Sequence, residues 1–268
     1  MNRTETPMQN APLARTGSQF SVRLASTPQD IRDAQRLRYE VFVAELGATG
    51  TLVDHEERLE CDRYDPFCDH LLLLDEAKGR VAAVYRLLPG ERAELAGGFY
   101  TQNEYDLVPL LGSGRKLLEL GRSCVHADYR GSAAMFVMWS ALADYVMERG
   151  IEILFGTASF HGTDVEALAL PLSWLHAHHL APETLRVQAW GAPAQPMDLI
   201  PVTPDDKNRA LAAMPPLIRA YLRLGGVVGE GAWRDAAFNT TDVCLIVDTT
   251  HMSAQHRGYY TRGRGVPA

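Results

Sequence analysis

The chain carries 268 residues, 46% of them hydrophobic, with 26 Lys and Arg against 33 Asp and Glu for a formal charge of −7. That length and apolar share suffice for one large domain with its own core, and no apolar run approaches the roughly 20 residues that a bilayer span needs. Met1 to Ser18 are polar, are interrupted by Pro7, Pro12 and Gly17, and lack the apolar stretch of a signal peptide. The expectation is a disordered tail on a cytosolic protein, with no nucleic-acid partner.

Residues 19–250 are expected to form a single α+β domain, and 251–268 a flexible basic tail with Arg257, Arg262 and Arg264. Phe20 to Ala25 reads as a strand and Pro28 to Leu46 as a helix, with Pro28 tolerated in its first turn. His70 to Asp75 and Arg80 to Leu88 pair as a hairpin across Glu76-Ala77-Lys78-Gly79. Leu117 to Val125 is the central strand. Ala133 to Arg149 is an apolar helix closed by Gly150, and Ile151 to Ala158 is the next strand. Thr163 to His179 is helical, with Pro171 kinking or dividing it. Asp205 to Leu224 is helical with a break at Pro215-Pro216, and Trp233 to Asp248 supplies the last strand or hairpin. The whole is a mixed central sheet flanked by helices, with a C-terminal extension.

Cys61, Cys68, Cys124 and Cys244 lie in or beside apolar segments without Cys-x-x-Cys spacing, the pattern of buried reduced thiols. His176, His178 and His179 cluster, yet no carboxylate or Cys is spaced to complete a site, so no metal is expected. His70 and Asp75 fit a His-x4-Asp acyltransferase pattern. A five-residue offset along one strand sends the two side chains to opposite faces, which argues against it.

The chemistry concentrates in charges set beside apolar runs, where an unpaired charge costs several kcal/mol. These are Arg38, which shares a helix face with Phe42 at i,i+4, then Asp62 and Asp65 on a loop ended by Pro66, then Arg86, then Glu119 and Arg122. They are read as partners lining one cleft. Glu119 and Arg122 are three apart on a strand, which puts them on opposite faces unless Gly121 marks a bulge.

Arg-x-x-x-Phe, Asp-x-x-Asp before a strand, an Arg on the following strand and Glu-x-x-Arg on a central strand together resemble the acyl-homoserine-lactone synthase branch of the GNAT-like acyltransferases. Two departures redirect the match: no Trp follows Phe42 in Val43-Ala44-Glu45-Leu46-Gly47-Ala48-Thr49-Gly50, and the chain continues well past a typical synthase. The runs Leu118 to Val125, Pro215 to Gly225 and Phe238 to Val243 are similar to the ornithine N-acyltransferases that make lyso-ornithine lipid. The resemblance covers roughly residues 20 to 248 and implies a GNAT-like N-acyltransferase fold.

It further implies transfer of a 3-hydroxyacyl chain from acyl carrier protein to the α-amine of L-ornithine. In that reading Glu119 is the base, helped by a pKa raised in an apolar strand. Backbone N–H groups around Ser123, Cys124 and Val125 are the oxyanion donors if the strand bulges there. Asp62 and Asp65 bind ornithine's cationic side chain, and Arg38, Arg86 or Arg122 its carboxylate. His161 and Asp164 are candidate substrate contacts. The rival reading of the same charges is a structural ion-pair network.

Coenzyme A enzymes of this fold carry a glycine-rich pyrophosphate loop at the start of the helix after the central strand. Here Arg130-Gly131-Ser132-Ala133 has one glycine, which suits a phosphopantetheine arm on acyl carrier protein and no separate cofactor; the lesser reading is that Gly131 only starts the helix. Because the carrier is acidic and this chain is too, docking needs a local basic patch. Arg115 with Lys116, Arg130, and the pair Arg219 and Arg223 are candidates. Met135, Phe136, Met138, Trp139 and Phe155 are expected walls of an acyl tunnel between the central strand and Ile151 to Ala158. Leu217, Ile218, Tyr221 and Leu222 make an amphipathic stretch suited either to packing on the core or to weak peripheral contact with an anionic inner membrane, and spacing alone favours the membrane no more than the core. The competing functions are an autoinducer synthase acting on S-adenosylmethionine and a catalytically silent carrier-binding member of the fold.

Overall fold

A computed structural model describes residues 20–49, 53–131 and 133–251. The expected N-terminal tail lies outside the described residues, as do Ser132 and all but the first residue of the expected basic tail.

In chain order the main elements are β1 (Phe20–Leu24), α1 (Pro28–Arg38), β2 (Asp69–Asp75), β3 (Arg80–Pro89), β4 (Leu117–Val125) and α2 (Ala134–Arg149). They are followed by β5 (Ile153–His161), α3 (Ala169–His179), α4 (Lys207–Ala213), α5 (Pro216–Arg223), β6 (Ala232–Asp235) and β7 (Thr240–Asp248). The sheet runs β1-β2-β3-β4-β5-β7-β6, with Ala194–Gln195 beyond β6 and Val227–Val228 also paired to β7. All these pairings are antiparallel except β4 with β5. This is the expected mixed sheet flanked by helices.

Alternation along β2 explains the layering. Leu71 and Leu73 face one side, where they join Tyr85, Met138 and Tyr145 in the main core. Leu72 faces the other, against Ala34, Leu37, Val84 and Cys124. Helices α1 and α2 thus cover opposite faces of the same strands.

Local chemistry sets the ends of these elements. Thr27 caps α1 by accepting the Asp30 N–H at 3.1 Å, Asp30 returns the favour to the Thr27 N–H at 3.0 Å, and Pro28 sits in the first turn. Gly150 closes α2 at φ +62°, a conformation that costs glycine nothing.

Three expected boundaries move. The helix expected to Leu46 changes at Tyr39 into π-helical turns through Glu45, where Val41, Phe42 and Glu45 border a groove. The strand expected from Ile151 runs Ile153–His161. Helix α3 begins only at Ala169, so Pro171 falls in its first turn, where its missing N–H costs no hydrogen bond and it neither kinks nor divides the helix.

The decisive feature is how β4 meets its two neighbours. On one side the register passes from Val84↔Cys124 to Arg86↔Gly121, so Tyr85 alone faces Arg122 and Ser123. That is a bulge, and Arg122 itself takes the left-handed conformation at φ +52°. The extra residue therefore lies just after Gly121. On the other side β4 pairs with β5 only through Leu117, Leu118 and Glu119. At the last contact Gly156 leaves room for the Leu120 carbonyl, which a Cβ there would meet at 2.1 Å. Past that point the two strands separate, and the cleft opens between them.

Candidate active site

The expected charges do converge, as a closed ring. Arg38 donates to Glu60 (2.5 Å) and Asp65 (2.8 Å), and Arg86 to Asp65 (2.9 Å) and Asp62 (2.6 Å). Arg122 closes the circle by donating to Asp62 (3.1 Å) and Glu60 (3.1 Å). Three guanidinium groups face three carboxylates, so the ring is neutral. Burial alone would raise the three acids, but the flanking arginines hold all of them below the usual carboxylate range: Arg122 and Arg38 act on Glu60, Arg86 and Arg122 on Asp62, Arg38 and Arg86 on Asp65. The ring ties α1, the 59–65 segment, β3 and β4 together. Removing one member would strand its partners' charges at a cost of about 3–5 kcal/mol.

This geometry corrects the roles expected for several residues. Asp65 is 5% exposed and already accepts from Arg38, Arg86 and Gln35, while Asp62 is held by Arg86 and Arg122. Neither lines the polar pocket between β4 and β5, and neither is free to bind an ammonium. Arg38, 1% exposed, likewise stands behind the cleft wall and cannot hold a substrate carboxylate. The ion-pair reading applies to these three. Sequence reasoning missed Glu60. Its signal was a charge between Leu59 and Cys61, together with the balance it supplies once Glu119 stays outside the ring.

Arg86, Glu119 and Arg122 do border the cleft, a polar pocket of about 230 Å³ between the splayed ends of β4 and β5. The Arg122 guanidinium lies over the rings of Tyr100 and Phe238, 4.8 and 4.9 Å from their centroids. Glu119 accepts backbone N–H groups from Tyr100 (2.9 Å) and Thr101 (2.7 Å). Burial pushes its pKa up against the opposing effect of those bonds. It touches no arginine of the ring.

Asp235, Asp242 and Glu104 complete this end of the site, and sequence reasoning did not single them out for the chemistry. Asp235 and Asp242 line the pocket, and the three bring carboxylate oxygens within 4.8 Å of one another. Burial and mutual repulsion push Asp242 up to about 6 and Glu104 well above its ordinary value. Asp242, in the apolar run Thr241-Asp242-Val243-Cys244, met the same criterion that flagged Glu119.

A second, apolar groove of about 940 Å³ shares Phe42, Ser123 and Leu217 with the polar pocket. Met135, Phe136 and Trp139 line it as expected, but it lies among the π-turns, the start of α2 and α5. It does not run between β4 and β5, where the polar pocket and a 20 Å³ void are found. Met138 is core instead, and Phe155 packs edge-on against Phe99 at 4.9 Å. Ser123, Cys124 and Val125 border the groove on the unpaired edge of β4. Burial pushes the Cys124 thiol up, which keeps it from serving as a nucleophile.

Arg130 stands at the rim of the groove and donates to Glu45 at 2.6 and 2.7 Å, while Gly131 takes φ +75° and Ala133 precedes α2. Among the other basic candidates, Arg115 is committed to Asp248 by two bonds of 2.6 Å, and Lys116 to the Arg149 carbonyl. Exposed Arg223 lines the groove. In α5, Ile218 and Tyr221 are buried in the core and Leu217 walls both cavities. That face is therefore not free to lie on a membrane.

His161 and Asp164 are exposed at the far end of β5 and line neither cavity. Asp164 accepts the N–H groups of Glu166 and Ala167, a loop-closing role. His70 bonds the Asp65 carbonyl while Asp75 accepts from Tyr129, so the His-x4-Asp pair does not meet.

Residues 37–140 match the Acetyltransferase (GNAT) domain family. An L-ornithine N(alpha)-acyltransferase of Rhodobacter capsulatus is 60% identical over 254 residues, covering 92% of this chain and 97% of that protein. The Brucella abortus protein of the same name is 41% identical over 92% of this chain and 90% of its own. Among solved structures, FeeM, an N-acyl amino acid synthase from uncultured soil microbes, aligns over 89% of this chain and 97% of its own with TM-score 0.50 and 11% identity, a likeness of fold.

Proposed function

This chain belongs to the L-ornithine N(alpha)-acyltransferase family, and on that footing we propose that it moves a 3-hydroxyacyl chain from acyl carrier protein to the α-amino group of L-ornithine, giving lyso-ornithine lipid. The observation that carries the reading is the common wall of Phe42, Ser123 and Leu217 between a polar pocket and an apolar groove. An amino acid seated among Arg86, Glu119 and Arg122 then meets the carbonyl end of a chain lying along Met135, Phe136 and Trp139.

In this mechanism Arg122 and Arg86 face the ornithine carboxylate. Glu119 takes the proton of the α-ammonium, directly or through a water. Each of its oxygens already accepts one backbone N–H and keeps a second lone pair for that purpose. The nitrogen attacks the thioester carbonyl, and N–H groups of the bulged Ser123 to Val125 stretch stabilise the oxyanion. Collapse forms the amide and breaks the C–S bond, and the pantetheine thiolate leaves with a proton. No separate cofactor is required.

The pantetheine arm enters beside Arg130, Gly131 and Ala133, with Arg130 and Arg223 as docking charges for the acidic carrier. No helix among the described residues is long and apolar enough to cross a membrane. The amphiphilic product leaves by the groove mouth, where exposed Phe136 and Leu46 offer an apolar rim for peripheral contact with the inner membrane from the cytoplasm.

The test is thiol release from 3-hydroxyacyl carrier protein with a panel of amines. Release should require ornithine and give an amide that keeps a free carboxylate and a second amine. Equal turnover with S-adenosylmethionine, or a lactone product, would overturn the assignment. Efficient use of the matching acyl coenzyme A would overturn the donor.

A further inference from the structure

Beyond the six-membered ring, which is balanced three against three, the cleft is lined by three more carboxylates, Glu119, Asp235 and Asp242, and a fourth, Glu104, brings an oxygen within 4.8 Å of those of Asp235 and Asp242. Among the described residues none of the four has a salt bridge to Lys, Arg or His. The deficit is local, because Glu104 is 1% exposed, Asp235 7% and Asp242 4%. Buried carboxylates in such company are normally paired or metal-bound.

Two oxygens sharpen the point. Among the described residues, Oε2 of Glu104 and Oδ1 of Asp242 are buried without a hydrogen-bond partner. An orphaned acceptor of this kind loses its hydration on folding and gains nothing in return unless a donor arrives. Asp235 is fixed in place by accepting the N–H groups of Ala237 and Phe238 at 2.8 and 3.0 Å. The acids are therefore held by the β6–β7 hairpin and the segment after Tyr100–Asn103, and β7 is itself paired along β5.

We infer that Glu104, Asp235 and Asp242 form the recognition site for the terminal ammonium of the amino-acid substrate, and so decide for a diamino acid over its uncharged isosteres. The inference rests on ornithine N-acylation as proposed above, and it moves the ammonium from Asp62 and Asp65 to these three acids. A primary ammonium carries three donors and one positive charge, which meets the orphaned oxygens of Glu104 and Asp242 and offsets the local charge. The substrate then spans the pocket, with its carboxylate toward Arg122, its α-nitrogen toward Glu119 and its propyl chain reaching β7. The site selects because 2-aminopentanoate, which has the same carbon chain without the terminal nitrogen, brings neither donor nor charge, and leaves the acids unpaired.

The experiment compares ornithine with 2-aminopentanoate as acceptors for the wild-type protein and for Asp242→Asn, Glu104→Gln and Asp235→Asn, each checked for folding by circular dichroism. Wild type should prefer ornithine by at least a hundredfold in kcat/KM. In the variants the KM for ornithine should rise tenfold or more with a smaller change in kcat, and the preference over 2-aminopentanoate should collapse. Using three separate variants means that one failure to fold leaves two readings in hand. Wild type that acylates ornithine, with variants whose preference is undiminished, would overturn the ammonium site alone. Wild type that does not acylate ornithine would overturn the functional reading as well. Loss of wild-type activity to EDTA, restored by Mg²⁺ or Ca²⁺ and insensitive to ornithine concentration in the variants, would overturn the inference in favour of a divalent-cation site.

Discussion

Replacing Asp242 by Asn should stabilise this protein at neutral pH, an unusual outcome for a buried polar substitution. In the unfolded chain an aspartate titrates near 3.8, whereas burial, with Asp235 adding repulsion, pushes Asp242 up to about 6. Between those values the native state binds more protons than the unfolded one. The contribution of Asp242 is therefore most favourable below about pH 4, declines as pH rises, and is fully lost above about pH 6. The span from about 4 to about 6 corresponds to about 3 kcal/mol at 1.36 kcal/mol per pH unit. For a domain of this size that is roughly 5–10 °C in Tm. Thermal melts of wild type and Asp242→Asn at pH 4.5 and 7.5, without ornithine, measure it directly. The variant should melt higher at pH 7.5, and at pH 4.5 the gap should narrow to about a third of that. A variant less stable than wild type at pH 7.5, or a gap unchanged between the two pH values, would refute the reasoning.

Arg38→Met leaves Glu60 and Asp65 without one of their two guanidinium partners inside the protein. It should cost about 3–5 kcal/mol in urea unfolding, whereas the exposed Arg130→Gln should cost under about 1 kcal/mol. Gly156→Ala places a Cβ 2.1 Å from the Leu120 carbonyl at the fork of β4 and β5; because the obstacle is backbone, Tm should drop sharply and soluble yield with it, and a wild-type melting curve would be contrary to the packing described. Glu119→Gln keeps the shape and one acceptor oxygen but removes proton acceptance and sets its N–H₂ against one of the two backbone N–H groups, so turnover should fall by roughly 10²–10⁴-fold in a folded protein that is about 1–3 kcal/mol less stable. Full activity in a folded Glu119→Gln protein would leave Glu119 only the task of holding the Tyr100–Thr101 turn.

The sequence by itself was enough for the order of elements and for most of the charged constellation. Leu117–Val125, the hairpin before it and the apolar helix after it carry strong local signals: a leucine-rich run broken by Glu119 and Arg122, a Lys-Gly turn and a Gly stop. Charges embedded in apolar runs advertise buried partners, because such residues are too costly to leave alone, and in this way Arg38, Asp62, Asp65, Arg86, Glu119 and Arg122 were all legible.

Which partner each one takes was not legible, since pairing depends on distances between segments far apart in the chain. Only the tertiary structure decided that Glu60, and not Glu119, closes the ring with Arg38 and Arg122. The same holds for Arg122: Gly121 marked a bulge only on the condition that the two charges converge, and strand pairing supplies the bulge and the left-handed backbone that turn Arg122 toward the cleft. Glu104 belongs to a short polar segment with no periodic pattern, and Asp235 and Asp242 to two strands of a late hairpin. They become one acidic cluster only because that hairpin pairs back onto β5 beside the fork. Local sequence determines which side chains must find partners, and long-range strand pairing determines which ones they find, because the register of a sheet is settled by its whole apolar face and not by any single charge.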